Sequence, residues 1–286
     1  MPVILSQNCY GKSSVRVAKV TRHADHHDLK EVAVNIQLAG AFEQVYCEGD
    51  NRAVLPTDTM KNTVYALAKS HALHTIEEFG LLLARHFLDN NTHLFEVGIE
   101  LEETLWQRLT APASTPTPKP HPHAFVSTGH ETWTSLITQN RTGPVLRSGL
   151  RNLLILKTAD SGFSEFLRDP LTTLKETDDR IFATDLQADW LYESSAIDFT
   201  RCRQIVQQAL LETFAQHRSL SVQHTLYAMG QAALEQCHEV SEIHLVMPNK
   251  HYLLFDIERF GMENQNEIFV PTEEPFGRIE GTLRRG

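Results

Sequence analysis

Val32-Ala-Val-Asn-Ile-Gln-Leu38 decides the fold class. Four branched apolar residues (Val32, Val34, Ile36, Leu38) alternate with Ala33, Asn35 and Gln37. A period of two residues places the first set on one face of a strand and the second on the other. That pattern belongs to an antiparallel sheet with one face against a core and the other in water. A second stretch, Phe95, Val97, Ile99 and Leu101 interleaved with Glu96, Gly98, Glu100 and Glu102, predicts a matching strand with Phe95 inward. Val15 and Val17 open an earlier strand whose phase is expected to slip at Ala18.

Between these strands the spacing changes to that of helices. One helix is predicted from near Asp58 to about Ser70, with Thr57, Asp58 and Thr59 as candidate side-chain caps. The next opens on a Thr75 to Glu78 capping box and carries Ile76, Phe79, Leu83 and Phe87 along one stripe.

The second half repeats the order without repeating the residues. Strands are expected at Leu146–Lys157 and Leu186–Glu193, and helices through Val206, Leu210 and Phe214 and through Leu226, Met229, Ala233 and Cys237. Strands at Glu242–Met247 and Tyr252–Glu258 and a short one near Ile279–Leu283 finish the series. A duplicated ββααββ unit follows, in the α+β class with helices on one face of antiparallel sheets. Gln139-Asn-Arg-Thr-Gly143 reads as the turn between halves, giving units 1–138 and 139–286. Thr110–Pro122, rich in Pro, Thr and Ala, is expected as an extended loop inside a long hairpin.

Composition narrows the function. With 286 residues, 41% hydrophobic and 22% charged, the chain is that of a soluble globular protein with material for a sizeable core. A net charge of −10 argues against nucleic acid or an anionic membrane as main partner, while leaving room for a small anionic ligand. Cys9, Cys47, Cys202 and Cys237 are widely spaced, as free thiols in a reducing cytosol would be. No apolar run reaches transmembrane length, and neither a signal peptide nor a Ser-Lys-Leu-type peroxisomal address is read at the ends, so cytoplasm is the expected location. His23, His26 and His27, and His121 with His123, cluster without a specific metal-ligand spacing, and no metal is expected.

Five segments hold residues suited to chemistry on a planar polar molecule. Cys9-Tyr-Gly-Lys-Ser13 offers Lys12 as an amine able to take a proton once desolvated, against the plainer reading of a surface lysine. Leu55-Pro-Thr-Asp-Thr59 opens a helix whose first N–H groups and dipole suit an anion, with the Thr57 hydroxyl free to pass a proton. Phe163, in a Gly/Ser-rich loop, suits a stacking platform or a loop anchor, and Arg180 a bidentate contact or a surface ion pair. Ser221-Val-Gln223 opens the last helix, where the Val222 N–H and the Gln223 amide can meet a ligand edge. Met247-Pro-Asn-Lys-His-Tyr252 sets Asn249 and His251 two apart, on one face of a strand.

In order and spacing these segments resemble urate oxidase (uricase) over essentially the whole chain. The resemblance rests on Tyr10-Gly-Lys12, Thr57-Asp58 with Lys61-Asn-Thr-Val-Tyr65, Phe163, Thr172–Thr177 with Asp179-Arg180, Val222-Gln223, and Pro248-Asn-Lys-His251. It implies two tandem T-fold units, matching the duplicated pattern read above. It implies a homotetramer whose sheets close into a tunnel, with sites at subunit interfaces. It further implies a cofactor-free oxidation of urate by O2 and water to 5-hydroxyisourate and hydrogen peroxide. Phe163 would stack on the purine, and Arg180 and Gln223 would clamp its edges with the Val222 amide. The Thr57 and Asp58 amides would come from a neighbouring subunit, Asn249 with Thr57 would hold O2 or peroxide, and Lys12, Thr57 and His251 would relay protons. Pro56 and Pro170-Leu171 depart from the pattern without touching these contacts. A T-fold enzyme acting on another purine or a pterin, and a purine-binding scaffold of the same fold, stay open as alternatives.

Overall fold

The computed structural model describes residues 3–111 and 119–286. They form two compact units, Met1–Gly149 with Ser194–Phe199 and Leu150–Glu193 with Thr200–Gly286. Among the described residues no helix is long and apolar enough to cross a membrane.

In the first unit β1 (Tyr10–Arg22), β2 (His27–Gly40), β3 (Leu94–Ala111) and β4 (Lys119–Asn140) lie side by side in chain order, all antiparallel. Val32, Val34, Ile36 and Leu38 are buried, as their period requires. A short α1 (Glu43–Glu48) precedes α2 (Thr57–Ser70) and α3 (Ile76–Asn90). The expected cap is present: the Thr75 hydroxyl accepts from the Glu78 N–H at 3.2 Å, and Ile76, Phe79, Leu83 and Phe87 are all buried. Gly80 lets α3 lie close on the sheet, since a Cβ there would come within 2.3 Å of Ile137 Cδ1.

Two expectations fail here for local reasons. Phe95 is exposed, because the β2–β3 register shifts between Ala39 and Gly40 and this bulge turns Leu94 inward instead. The phase of β1 does not slip at Ala18: Lys19 continues the core-facing row and sends its amine to the carbonyls of Ala68, at 2.7 Å, and His71. A lysine can hold an inward position by laying its stem on apolar surface and capping a helix C-terminus with its head. Part of the expected loop Thr110–Pro122 is strand, at the end of β3 and the start of β4; residues 112–118 of that loop lie outside the described residues.

β5 (Gly143–Lys157) follows the turn at Arg141-Thr142 and runs from the first unit into the second. There β6 (Phe182–Tyr192), β7 (Val240–Leu254) and β8 (Phe269–Arg284) continue in chain order, with α4 (Phe199–Gln216) and α5 (Val222–Gln236) between β6 and β7. Leu186, Ala188, Trp190 and Tyr192 are buried on β6, Met229 and Ala233 on α5, and Cys237 just past the end of α5. The pair of strands expected at Glu242–Met247 and Tyr252–Glu258 is one strand, β7, ending at Leu254. Pro248 does not interrupt it, and pairing with β8 continues through Asn249 opposite Gly277 and His251 opposite Thr272. The last strand, read as short, begins already at Phe269.

Several fixing devices recur in both units. Lys157 donates to the His217 carbonyl after α4 much as Lys19 does after α2. Arg141 donates to the carbonyls of Leu88 and Asn91 at the end of α3, and Arg285 to those of Leu234 and Cys237 at the end of α5. Ser221 caps α5 through His224 N at 3.1 Å, in the manner of Thr75. Ser14 and Asn152 both take φ 58°. The duplication expected from element order therefore extends to individual anchoring contacts.

Candidate active site

Gathering of the expected residues is clearest in the second unit. A cavity of about 560 Å³ is walled by Phe163, Leu174–Thr177, Arg180–Ile181 and the β7 stretch Asn249–Leu254. Phe163, Arg180, Asn249 and His251 thus meet at one place. Phe163 is held by its backbone, its N–H bonding the Thr177 carbonyl at 2.7 Å and its carbonyl accepting from Thr177 N at 3.0 Å. Gly162 permits this closeness, since a Cβ would sit 3.0 Å from the Thr177 carbonyl oxygen. The ring of Phe163 stacks on Phe166 at 5.0 Å, and the Arg180 guanidinium carbon lies 5.5 Å from its centroid.

Arg180 is half-buried and makes no ion pair among the described residues. Burial pulls its guanidinium below the ordinary value, and its Nε is buried without a hydrogen-bond partner. A desolvated planar cation beside an aromatic ring is suited to an anionic heterocycle. On β7 the pairing with β8 is irregular between Asn249 and His251, and the Thr272 hydroxyl donates to the His251 carbonyl at 3.2 Å.

Val222 and Gln223 stand apart from that cavity wall. They form the first turn of α5, with Val222 buried and Gln223 exposed beside a separate groove along α5 and β8. The Phe163 loop is nevertheless tied to this helix start: Gly162 N donates to the Ser219 carbonyl at 2.8 Å, and Ser219 N to the Asp160 carbonyl at 2.8 Å. The loop and the start of the helix are thus joined by hydrogen bonds.

Lys12, Thr57 and Asp58 belong to the first unit. Thr57 is the first residue of α2, and none of the three candidate caps acts as one: Pro56 holds the N-cap place and has no side chain to donate or accept. The Pro56 carbonyl takes Met60 N at 3.2 Å, so the N–H groups of Thr57 and Asp58 precede the first helical bond. The Asp58 carboxylate points instead to Lys61 (2.5 Å) and Asn62 (3.0 Å). Lys61, and more weakly Lys12, hold its pKa below the usual carboxylate range. Lys12 is half-buried on β1 opposite Ile36.

Sequence reasoning passed over the cavity walls Ile181 and Leu253, and it quoted Thr177 and Tyr10 within motifs without giving either a role; the Tyr10 hydroxyl bonds Leu55 just before α2. Only the position of Tyr10 two residues before Lys12 signals it in the sequence. Two groups of metal-ligand type occur among the described residues, each with its ligand atoms within 4.8 Å of one another: His23, His26 and Asp28, and Cys202, Cys237 and Glu239. The Asp28 carboxylate already accepts from Arg108 at 2.6 Å and His23 at 2.9 Å. Glu239 holds Arg201 at 2.9 Å, and burial pushes the Cys237 thiol up to about 12. Neither group lines the cavity.

Comparison with known proteins places this geometry. The uricase family model matches residues 8–138 and 146–280. A uricase of Arthrobacter globiformis is 39% identical over 99% of this chain and 90% of its own, and one of Dictyostelium discoideum is 38% identical over 98% and 97%. The crystal structure of the Arthrobacter globiformis uricase superposes with a TM-score of 0.94, covering 100% of this chain and 96% of that one at 38% identity. Urate oxidase from Bacillus sp. TB-90, at 23% identity, shares the fold with a TM-score of 0.83. With its antiparallel α+β architecture and the full span of these matches, the chain belongs to the uricase family and is an oxidoreductase.

Proposed function

We propose that the protein oxidises urate with O2 and water to 5-hydroxyisourate and hydrogen peroxide, without metal or organic cofactor. The observation that carries the reading is the meeting of Phe163, half-buried Arg180, Asn249 and His251 around one cavity of about 560 Å³. In the reaction Phe163 stacks on the purine while Arg180 holds a carbonyl and an adjacent ring nitrogen. Gln223 and the Val222 N–H take the opposite edge. Asn249 and Thr57 keep O2, and then peroxide or water, above the ring. Urate, stripped of two protons, is electron-rich enough to reduce O2 directly. A bond then forms from C5 to oxygen, the resulting hydroperoxide leaves as H2O2, and water adds at C5. Lys12, Thr57 and His251 carry the protons, and the protein supplies orientation and preorganised dipoles.

Lys12, Thr57 and Asp58 lie in one unit and the cavity in the other. This division supports a site completed by a neighbouring subunit in a homotetramer whose sheets enclose a tunnel. On this reading the repeats are 1–138 and 139–286, with β5 opening the second T-fold. That none of the four cysteines forms a disulfide among the described residues supports a reducing, cytoplasmic setting. The test is loss of the urate ultraviolet band in air, with chelator present and peroxide measured. Stoichiometric peroxide supports the reading. A verified tetramer that leaves urate untouched overturns it.

A further inference from the structure

The Tyr10 hydroxyl makes a two-way bond to a single residue. It donates to the Leu55 carbonyl at 3.2 Å and accepts from the Leu55 N–H at 2.8 Å. Tyr10 begins β1 two residues before Lys12, and Leu55 lies two residues before Thr57 at the start of α2. One phenol therefore joins the two backbone segments that carry the proposed proton-relay groups of the first unit. Each group is one extended dipeptide, roughly 6–7 Å, from the clamp.

The surroundings hold the phenol in place from other sides. Its ring stands edge-on to buried Phe42, with centroids 4.9 Å apart. The preceding Cys9 carbonyl accepts from the Tyr46 hydroxyl at 3.0 Å. Gly11 lets the strand press onto β2, where a Cβ would fall 1.7 Å from the Ile36 carbonyl oxygen. Burial, offset in part by the Leu55 bond, keeps the phenol above its ordinary pKa, so it stays a donor at neutral pH. In the matching stretch of β5, Ser148 precedes Leu150 as Tyr10 precedes Lys12, and no relay group follows it.

We infer that Tyr10 is a positioning residue of the oxidation, setting the distance between Lys12 and Thr57 through its paired bonds to Leu55. The inference rests on the reading that Lys12 and Thr57 relay protons. Tyr10 touches neither substrate nor oxygen; it acts through the backbone that presents the other two. A shift of one ångström in such a pair is enough to cost catalysis while leaving binding intact.

The test is a mutant cycle in the intact protein, with kcat, KM, the pH dependence of kcat and melting temperature measured together. Tyr10→Phe keeps the ring on Phe42 and removes both bonds. It is expected to lower kcat about tenfold, leave KM within twofold and displace one limb of the pH profile. Lys12→Met alone is expected to lose far more, and Tyr10→Phe added to it should change kcat by less than twofold. Fully additive losses, or a Tyr10→Phe enzyme with unchanged kcat and pH profile, overturn the inference. Near wild-type turnover in Lys12→Met would instead bring down the relay reading itself. Should Tyr10→Phe not fold, 3-fluorotyrosine at position 10 keeps every atom in place and makes the phenol a stronger donor and a weaker acceptor. A moved pH limb at unchanged melting temperature then supports the inference, and no change in kcat or pH limb overturns it.

Discussion

The two units use the same anchors for different stock. Lys19 and Lys157 cap helix ends, Arg141 and Arg285 hold the carbonyls closing α3 and α5, and Thr75 and Ser221 start those helices. Yet where the first unit has Lys12, two residues before the positive-φ Ser14, the second has buried Leu150 before Asn152. The first unit turns from β1 to β2 within residues 23–26, whereas the second spends residues 158–181 on the connection that delivers Phe163 and Arg180. The difference teaches that packing constrains the repeated scaffold, while connections and strand mouths are free to diverge. On the proposed reading the first unit brings Lys12 and Thr57 of the proton relay, and the second brings His251 together with the slot for a planar ligand.

The largest effect should come from breaking that division of labour. Lys12→Met or Thr57→Ala is expected to lower kcat by about 10²–10⁴-fold, the usual worth of a positioned proton-transfer group, while a urate analogue still binds. Steady-state turnover and analogue titration check this, and near wild-type kcat in both variants would remove the first unit from the chemistry. On the slot side, Arg180→Gln is expected to raise KM by about 10–100-fold, from the loss of a charge-assisted contact of about 1.5–3 kcal/mol. If kcat falls and KM holds, Arg180 serves the reaction rather than binding.

A matched pair of caps sharpens the comparison. Thr75→Ala and Ser221→Ala should each cost about 1 kcal/mol in chemical denaturation. Only Ser221→Ala should also raise KM, because α5 presents Val222 and Gln223. Equal kinetics in the two variants would detach α5 from the substrate.

The smallest expected effect is a pH response. His217 is held below the ordinary imidazole range, first by burial and then by His224 and Lys157. The unfolded chain therefore binds a proton before the folded one does, and stability should fall as pH drops below about 6.5. The fall should level off once the folded imidazole also charges. His217→Gln should flatten this slope in denaturant titrations at pH 5 to 7. An unchanged slope in that variant would show that burial of His217 contributes nothing.

Much of the scaffold was legible because it depends on short-range periods. The β2 alternation, the Thr75 cap and the stripe on α3 need only neighbours within a turn or a pleat. The errors arose where a contact far along the chain prevailed over local pattern. Phe95 faces out because a bulge against Ala39–Gly40 shifts the phase, and β7 runs through Pro248 because β8 pairs along its whole length. Lys19 faces in because the end of α2 offers carbonyls to its amine.

By itself the sequence determined the fold class, the repeated order of elements and, by resemblance, the residue types of the site. Tertiary structure decided which of those residues meet. It put Phe163, Arg180, Asn249 and His251 around one cavity, set Gln223 beside another groove, kept Lys12 and Thr57 in the other unit, and revealed the Tyr10 bond to Leu55. The reason is physical. Helix and strand patterns follow from backbone geometry over a few residues, whereas a site joins groups far apart in sequence, placed by packing and hydrogen bonds that form only when the chain has folded.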